Sequence, residues 1–246
     1  MELNDKIALV TGSTSGIGAA TALALAGEGA HVIVAGRDEA RGRAVVESIR
    51  AQGGTADFIA EALHDERSAR ALAARALDIA GRIDILVNNA AIAAFGPTAS
   101  TTEAQFDDVY SINVKAPFFL VAALAPNMAE RGEGVIVNVS TTAAQIGQAG
   151  AAVYGSSKAA ISLLTKAWAA EFGRSGVRVN AVSPGPTRTE GTKFMGDTLD
   201  QQAAAAPAGR VASPQEIANT VLFLTTDAAS FIHGAVLPVD GGRIAT

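Results

Sequence analysis

Along the chain, short runs of consecutive apolar residues alternate with longer stretches in which apolar positions recur at helical spacing. The runs are "KIALVTG" from Lys6, "HVIVAG" from His31, "TADFIA" from Thr55, "DILVNNA" from Asp84, "GVIVNVS" from Gly134, "VRVNAVSPG" from Val177 and "AVLPVDGG" from Ala235. Strands that are apolar at successive positions, rather than at every second one, belong in a sheet covered on both faces. Between them lie 16–28, 39–52, 65–80, 102–130, 154–173 and 214–226, each long enough for a crossover helix. Strand, helix, strand repeated along the chain predicts an α/β fold, a doubly wound parallel sheet with helices on both faces. No linker or shift of composition divides it, so residues 1–246 are read as one domain.

One segment breaks the alternation. Residues 187–210, "TRTEGTKFMGDTLDQQAAAAPAGR", follow a strand but show little amphipathic period. Ligands of open α/β sheets bind beyond the carboxyl ends of the strands. A long insertion there predicts a lid, with Phe194 and Met195 as apolar contacts.

Composition narrows the function. The chain has 246 residues, 49% of them hydrophobic and 17% charged, with a net charge of −5 and no run of either sign. No polyanion-binding surface is advertised, which argues against nucleic acid as a partner. There are no cysteines, so disulfides and thiolate metal sites are excluded. His31, His64 and His233 lie far apart without ligand spacing, and no metal site is expected. Glu2, Asp5 and Lys6 surround only four apolar residues at the start, unlike a secretory signal, so a cytoplasmic location is expected. The apolar run at 118–125, bracketed by Pro117 and Pro126, is far shorter than the roughly 20 residues of a membrane span.

"TGSTSGIG" leads from the first strand into the first helix. Gly12, Gly16 and Gly18 fall where the chain turns tightly and a ligand approaches the backbone, with Ser13, Thr14, Ser15 and Ile17 between them. Free amides at a helix start favour an anion, and this placement after a strand points to a dinucleotide. The end of the second strand lies beside the adenosine ribose, where an acid would accept the 2′-hydroxyl. Gly36 stands at that place, followed by Arg37, whose guanidinium suits a 2′-phosphate. NADP(H) is therefore favoured over NAD(H), although Asp38 could repel the phosphate or pair with Arg37.

Taken in order, "TGSTSGIG", "NNAA" at 88–91, Asn113 in "INVKAPF", "NVST" at 138–141, "YGSSK" at 154–158, "SPGPTRT" at 183–189 and "DGG" near the end resemble the short-chain dehydrogenase/reductase family in its single-domain form. The resemblance covers essentially the whole chain. It implies a Rossmann-type fold with about seven parallel strands, a nicotinamide cofactor and a homo-oligomer, dimer or tetramer. By the same resemblance Asn89, Ala90 and Ala91 flank the cofactor, Lys158 holds the nicotinamide ribose, and Asn113 fixes a water that relays protons. Pro184 and Gly185 would shape the turn beside the nicotinamide, with Thr187 and Thr189 touching its carboxamide or the phosphates.

Three positions depart from the family pattern. Ala91 replaces a glycine, and Ala62 stands where an acid or amide usually meets the adenine, leaving the backbone of Leu63 and nearby Asp65 for that contact. Thirteen residues before Tyr154, where the family places its serine, stands Thr141, with Ser140 one residue away. Neighbours on a strand face opposite ways, so the two hydroxyls are not equivalent. Both remain candidates, with Thr141 preferred, since its hydroxyl can donate the same hydrogen bond as a serine.

Tyr154 and Lys158 are four apart, hence on one helix face. An unperturbed phenol has a pKa of about 10, and bringing it near neutrality takes roughly 4 kcal/mol, which a nearby cation can supply. Tyr154 would then exchange a proton with a substrate oxygen, while Thr141 orients that oxygen. The expected activity is NADP-dependent hydride transfer between nicotinamide and a carbonyl or alcohol. A sibling reading is a 3-oxoacyl-[acyl-carrier-protein] reductase, with Arg131 and Arg174 as docking cations. A reading of another class is a non-catalytic NADP-binding sensor or scaffold, motivated by "NNAA" and the missing serine. Helices 102–130 and 154–173 are the expected oligomer contacts.

Overall fold

In the computed structural model, which describes residues 1–245, the seven apolar runs are all strands of one sheet. They are β1 (Ile7–Thr11), β2 (His31–Gly36), β3 (Thr55–Ala60), β4 (Ile85–Asn88), β5 (Gly134–Val139), β6 (Val177–Pro184) and β7 (Val236–Val239). The order is β3-β2-β1-β4-β5-β6-β7, with every neighbouring pair parallel. The chain runs outward from β1 to β3 and then crosses back to β4, so a crevice opens between the ends of β1 and β4. That reversal is where an open α/β sheet accepts a ligand.

The crossovers are α1 (Gly16–Gly27), α2 (Glu39–Ala51), α3 (Glu66–Ala80), α4 (Glu103–Tyr110), α5 (Ala116–Arg131), α6 (Ala152–Phe172), α7 (Asp197–Ala204) and α8 (Pro214–Thr225). Alternate strand residues feed two cores. Ala8, Val10, Val32 and Val34 join Leu25, Val221 and Leu224 on one face, while Leu9, Ile33 and Leu86 join Leu72, Leu120 and Leu124 on the other. This two-sided burial is why the strands read as unbroken apolar runs.

Local chemistry sets the helix starts. The Asp38 carboxylate accepts from Arg41 N at α2, Asp65 and Ser68 form a reciprocal cap at α3, and Ser213 and Glu216 do the same at α8. Asp65 is thereby committed to its helix. The stretch read as one helix over 102–130 is two, joined by a π turn at Ser111–Lys115. Glu103–Arg131 is apolar and long enough by composition to cross a membrane. Its apolar positions Leu120, Val121, Leu124 and Met128 are instead buried against the sheet. Within 187–210 the chain forms a 3-10 turn at Glu190–Met195 and then α7, whose Leu199 and Ala203 are buried. The expected loop is thus largely helical.

Candidate active site

The turn after β1 is built around glycine. Gly12 and Gly16 have φ of +63° and +56°, in the left-handed region that favours glycine. A Cβ on Gly12 would stand 2.8 Å from the Ala90 Cα, and one on Gly18 would collide with the Gly12 carbonyl and the Asn89 amide. Asn89 braces the turn by donating to the carbonyls of Thr11 and Gly12 at 2.9 and 3.0 Å, and the Thr11 hydroxyl accepts from the Asn89 and Ala90 amides. Thr14, Ser15, Ile17 and Gly18 line the resulting cleft, and Ser15 at the start of α1 uses its side chain for no cap. Ser13, expected from its place in the turn to meet the ligand, does not line the cleft. It is fully buried, donates to the Val10 carbonyl at 2.6 Å and accepts from the Ala35 amide, pinning the turn to β1 and β2.

The far end of the cleft holds Gly36, Arg37, Ala62 and Leu63. Asp38 does not pair with Arg37. Its carboxylate takes the Arg41 amide at 3.0 Å and the Arg41 guanidinium at 2.6 Å, and these bonds hold it below the usual carboxylate range. Arg37 is exposed and forms no ion pair among the described residues. Ala91, at the position of the family glycine, is exposed at the join between this cleft and the next cavity.

That second cavity, of about 490 Å³, contains Thr141, Tyr154 and Lys158 with Pro184, Gly185 and Thr187. A buried polar chain fixes its floor: Asn88 on β4 donates to Asn138 on β5 at 2.9 Å, and Asn138 donates to Thr165 on α6 at 2.9 Å. The strand residues were legible only as parts of motifs, and Thr165 carried no signal. The π turn carries Asn113 inward, where its side chain accepts from the Ile92 amide and donates to the Ile92 carbonyl and the Ser157 hydroxyl. Asn113 thus ties the loop after β4 to α6, the helix that bears Tyr154 and Lys158.

Thr141 and Tyr154 line this cavity together, and the Thr141 hydroxyl is near enough to the phenol to influence its titration. Ser140 also lines the cavity, with its hydroxyl turned towards α6. Its buried hydroxyl bonds to Ser162 at 2.8 Å and to the Lys158 carbonyl at 3.3 Å, stitching β5 to α6. Lys158 is buried, donates to the Val139 carbonyl at 2.7 Å, and desolvation lowers it to about 8. The phenol of Tyr154 is pushed up by burial, with the Thr141 hydroxyl pulling it back. The expectation that Lys158 lowers the phenol is therefore not met in this arrangement, because the ammonium is turned onto the end of β5.

On the other wall, Gly185 backs onto Asp240, where a Cβ would meet the Asp240 Cα at 2.8 Å. Thr187 is buried and donates to the Gly185 carbonyl at 2.9 Å, while Thr189 caps the 3-10 turn through Thr192. Sequence reasoning missed Phe95, whose ring lies 5.5 Å from that of Tyr154 and 6.2 Å from Phe194. It sits in the glycine- and alanine-rich loop after β4, where no periodic pattern marks it.

Residues 12–243 match a family model described as enoyl-(acyl carrier protein) reductase. The cyclopentanol dehydrogenase of a Comamonas strain is 39% identical over 99% of this chain and 98% of its own. A solved structure described as a short chain dehydrogenase/reductase family protein has 48% identity and a TM-score of 0.93, with both chains covered completely. Another, described as a proposed NAD(P) dependent gluconate 5-dehydrogenase from Beutenbergia cavernae with bound NADP at low occupancy, has 36% identity and a TM-score of 0.95 over 100% of this chain and 99% of that one. With the glycine turn, the Tyr154–Lys158 helix and the strand order already in place, these matches make the chain a member of the short-chain dehydrogenase/reductase family of nicotinamide-dependent oxidoreductases acting on CH–OH groups.

Proposed function

We propose that this protein is an NADP-dependent carbonyl reductase or secondary alcohol dehydrogenase. The observation that carries the reading is that Thr141, Tyr154 and Lys158 line one cavity, which shares Asn89, Ala91 and Ile92 with the glycine-cradled cleft. The cleft fits a dinucleotide: side chains are excluded at Gly12 and Gly18, and the start of α1 presents uncommitted amides beside Thr14 and Ser15. Arg37 favours the 2′-phosphate because Arg41 already neutralises Asp38. Ala62 and Leu63 would flank the adenine, and Asn89, Ala90 and Ala91 the middle of the cofactor. Pro184, Gly185, Thr187 and Thr189 would form the wall beside the nicotinamide.

When bound, the cofactor supplies or accepts hydride at its nicotinamide ring. Tyr154 holds the exchangeable proton at its phenol oxygen and passes it to the substrate oxygen in reduction, or takes it back in oxidation. Thr141 donates to that same oxygen, orienting it and stabilising the charge that grows there. Lys158, one helical turn from Tyr154 on the same cavity wall, would hold the cofactor ribose. Asn113 holds the loop and helix in register. The segment 187–210 acts as a lid, since Met195, Leu199 and Gln202 already line the cavity.

The carrier-protein reading loses one of its two cations. The Arg131 guanidinium is spent on the Ile83 carbonyl and Asp84, leaving only Arg174 exposed. The Tyr-to-Lys spacing of four favours carbonyl over enoyl reduction. A homo-oligomer is supported by Phe106, Phe118 and Leu163, exposed on α4, α5 and α6. A cysteine-free chain fits a reducing cytoplasm. The test is NADPH oxidation across aldehydes, ketones and quinones. Consumption with some of them supports the reading; NADPH binding without consumption by any would favour a sensor.

A further inference from the structure

The chain end contributes a residue to the cavity that neither the family pattern nor the chemistry above uses. After β7 the chain turns at Gly241 and Gly242, with φ of +64° and +87°. The Asp240 carboxylate clamps that turn, accepting from the Gly242 and Ile244 amides at 2.9 Å each. The two glycines pack where side chains would strike Ala208 and Pro207 at the end of the 187–210 segment, and the Gly241 carbonyl accepts from the Ala208 amide at 2.9 Å. Two backbone anchors and two close approaches therefore fix where the next residue goes. That residue, Arg243, is half-buried and lines the same cavity as Tyr154 and Thr141.

Among the described residues its guanidinium has no acidic partner: Arg243 makes no ion pair and no side-chain hydrogen bond there, whereas Arg82, Arg131, Arg188 and Arg210 are all paired with carboxylates. Nor does the cavity offer one: no Asp or Glu lines it, and its only charged side chains are Lys158 and Arg243. Lys158 is at the Tyr154 end, bonded to Val139. The same cavity is also lined by Ile146, Met195 and Leu199, with Gln148 and Gln202 among its neutral polar groups. A partly desolvated guanidinium with no carboxylate beside it among the described residues, in a cavity that no Asp or Glu lines, suits an anion, and its planar fork matches a carboxylate in two parallel bonds.

We propose that Arg243 is a specificity-determining residue and that the substrate is a small oxo- or hydroxycarboxylic acid. Its apolar body would lie against Ile146, Met195 and Leu199, with its carboxylate on Arg243. The proposal rests on reading this cavity as the substrate site, and its test is chosen to be independent of turnover. The Asp240 clamp uses backbone amides, so substitution at 243 leaves the turn intact.

The experiment measures, by calorimetry on the protein saturated with NADP, the dissociation constants of cyclohexanecarboxylate and of uncharged cyclohexylmethanol. The carboxylate should bind the native chain more tightly by about tenfold or more, as expected for charge-assisted hydrogen bonds. This preference should shrink as ionic strength rises. In Arg243→Met the ratio should collapse towards one, and Arg243→Lys should restore part of it. A ratio near one in the native protein, or one unchanged in Arg243→Met, overturns the assignment. A preserved ratio in a protein that oxidises no NADPH would support Arg243 while refuting the redox reading.

Discussion

Two adjacent hydroxyls, Ser140 and Thr141, separate the chemistry of the site from its scaffolding, and exchanging each for an apolar residue should produce opposite phenotypes. Thr141→Val keeps the side-chain shape and removes the hydroxyl proposed to orient the substrate oxygen beside Tyr154. Among the described residues that hydroxyl makes only a long 3.4 Å bond from the Ala143 amide, so the fold loses little. Removing a donor aimed at a developing oxyanion costs about a hundredfold or more in kcat. Ser140→Ala removes a buried bond of 2.8 Å to Ser162, but the Ser162 hydroxyl keeps the Lys158 carbonyl as acceptor at 3.0 Å. No polar group is left stranded, so the loss is about 1 kcal/mol of stability. For a domain of this size that lowers Tm by roughly 2–4 °C. Steady-state kinetics and thermal melts on both variants make the comparison. If Ser140→Ala abolishes turnover while Thr141→Val retains it, the orientation assigned to the two residues is wrong.

Arg37→Ala should lower kcat/KM for NADPH by about ten- to a hundredfold, the value of one or two charge-assisted hydrogen bonds, and leave NADH nearly unchanged; equal losses with both would show that Arg37 does not read the 2′-phosphate. Burial lowers Lys158 to about 8, so its ammonium is charged below that pH and neutral above it. Since kcat/KM reports groups of the free enzyme, its value for NADPH should fall as pH rises through about 8. A profile flat to pH 10 would remove Lys158 from cofactor binding.

Much of this arrangement is legible in the sequence because the residues that matter travel in contiguous motifs. Strands buried on both faces must be apolar throughout, which marked all seven, and the glycine turn and the Tyr154–Lys158 pair each lie within a few residues. What was not legible depends on side-chain direction or on distant contacts. Ser13 and Ser140 look like ligand-facing hydroxyls until their buried acceptors, Val10 and Ser162, are seen. The Arg41 guanidinium, three residues beyond Asp38, decides that carboxylate's fate through a helix cap that the strand-end reading did not follow. The π turn at Ser111–Lys115 has no compositional mark, yet it turns Asn113 inward. Phe95 and Arg243 come from opposite halves of the chain and share the cavity only because the sheet order sets β4 and β7 on either side of β5 and β6.

The central claim is that the Tyr154 phenol carries the proton that accompanies hydride transfer to a carbonyl. It is tested most directly by mixing NADPH-loaded protein with a reactive ketone in a single turnover, for the native chain and for Tyr154→Phe. The variant should bind NADPH as the native protein does and oxidise it at least about a hundredfold more slowly. Equal rates of oxidation in the two proteins would contradict it.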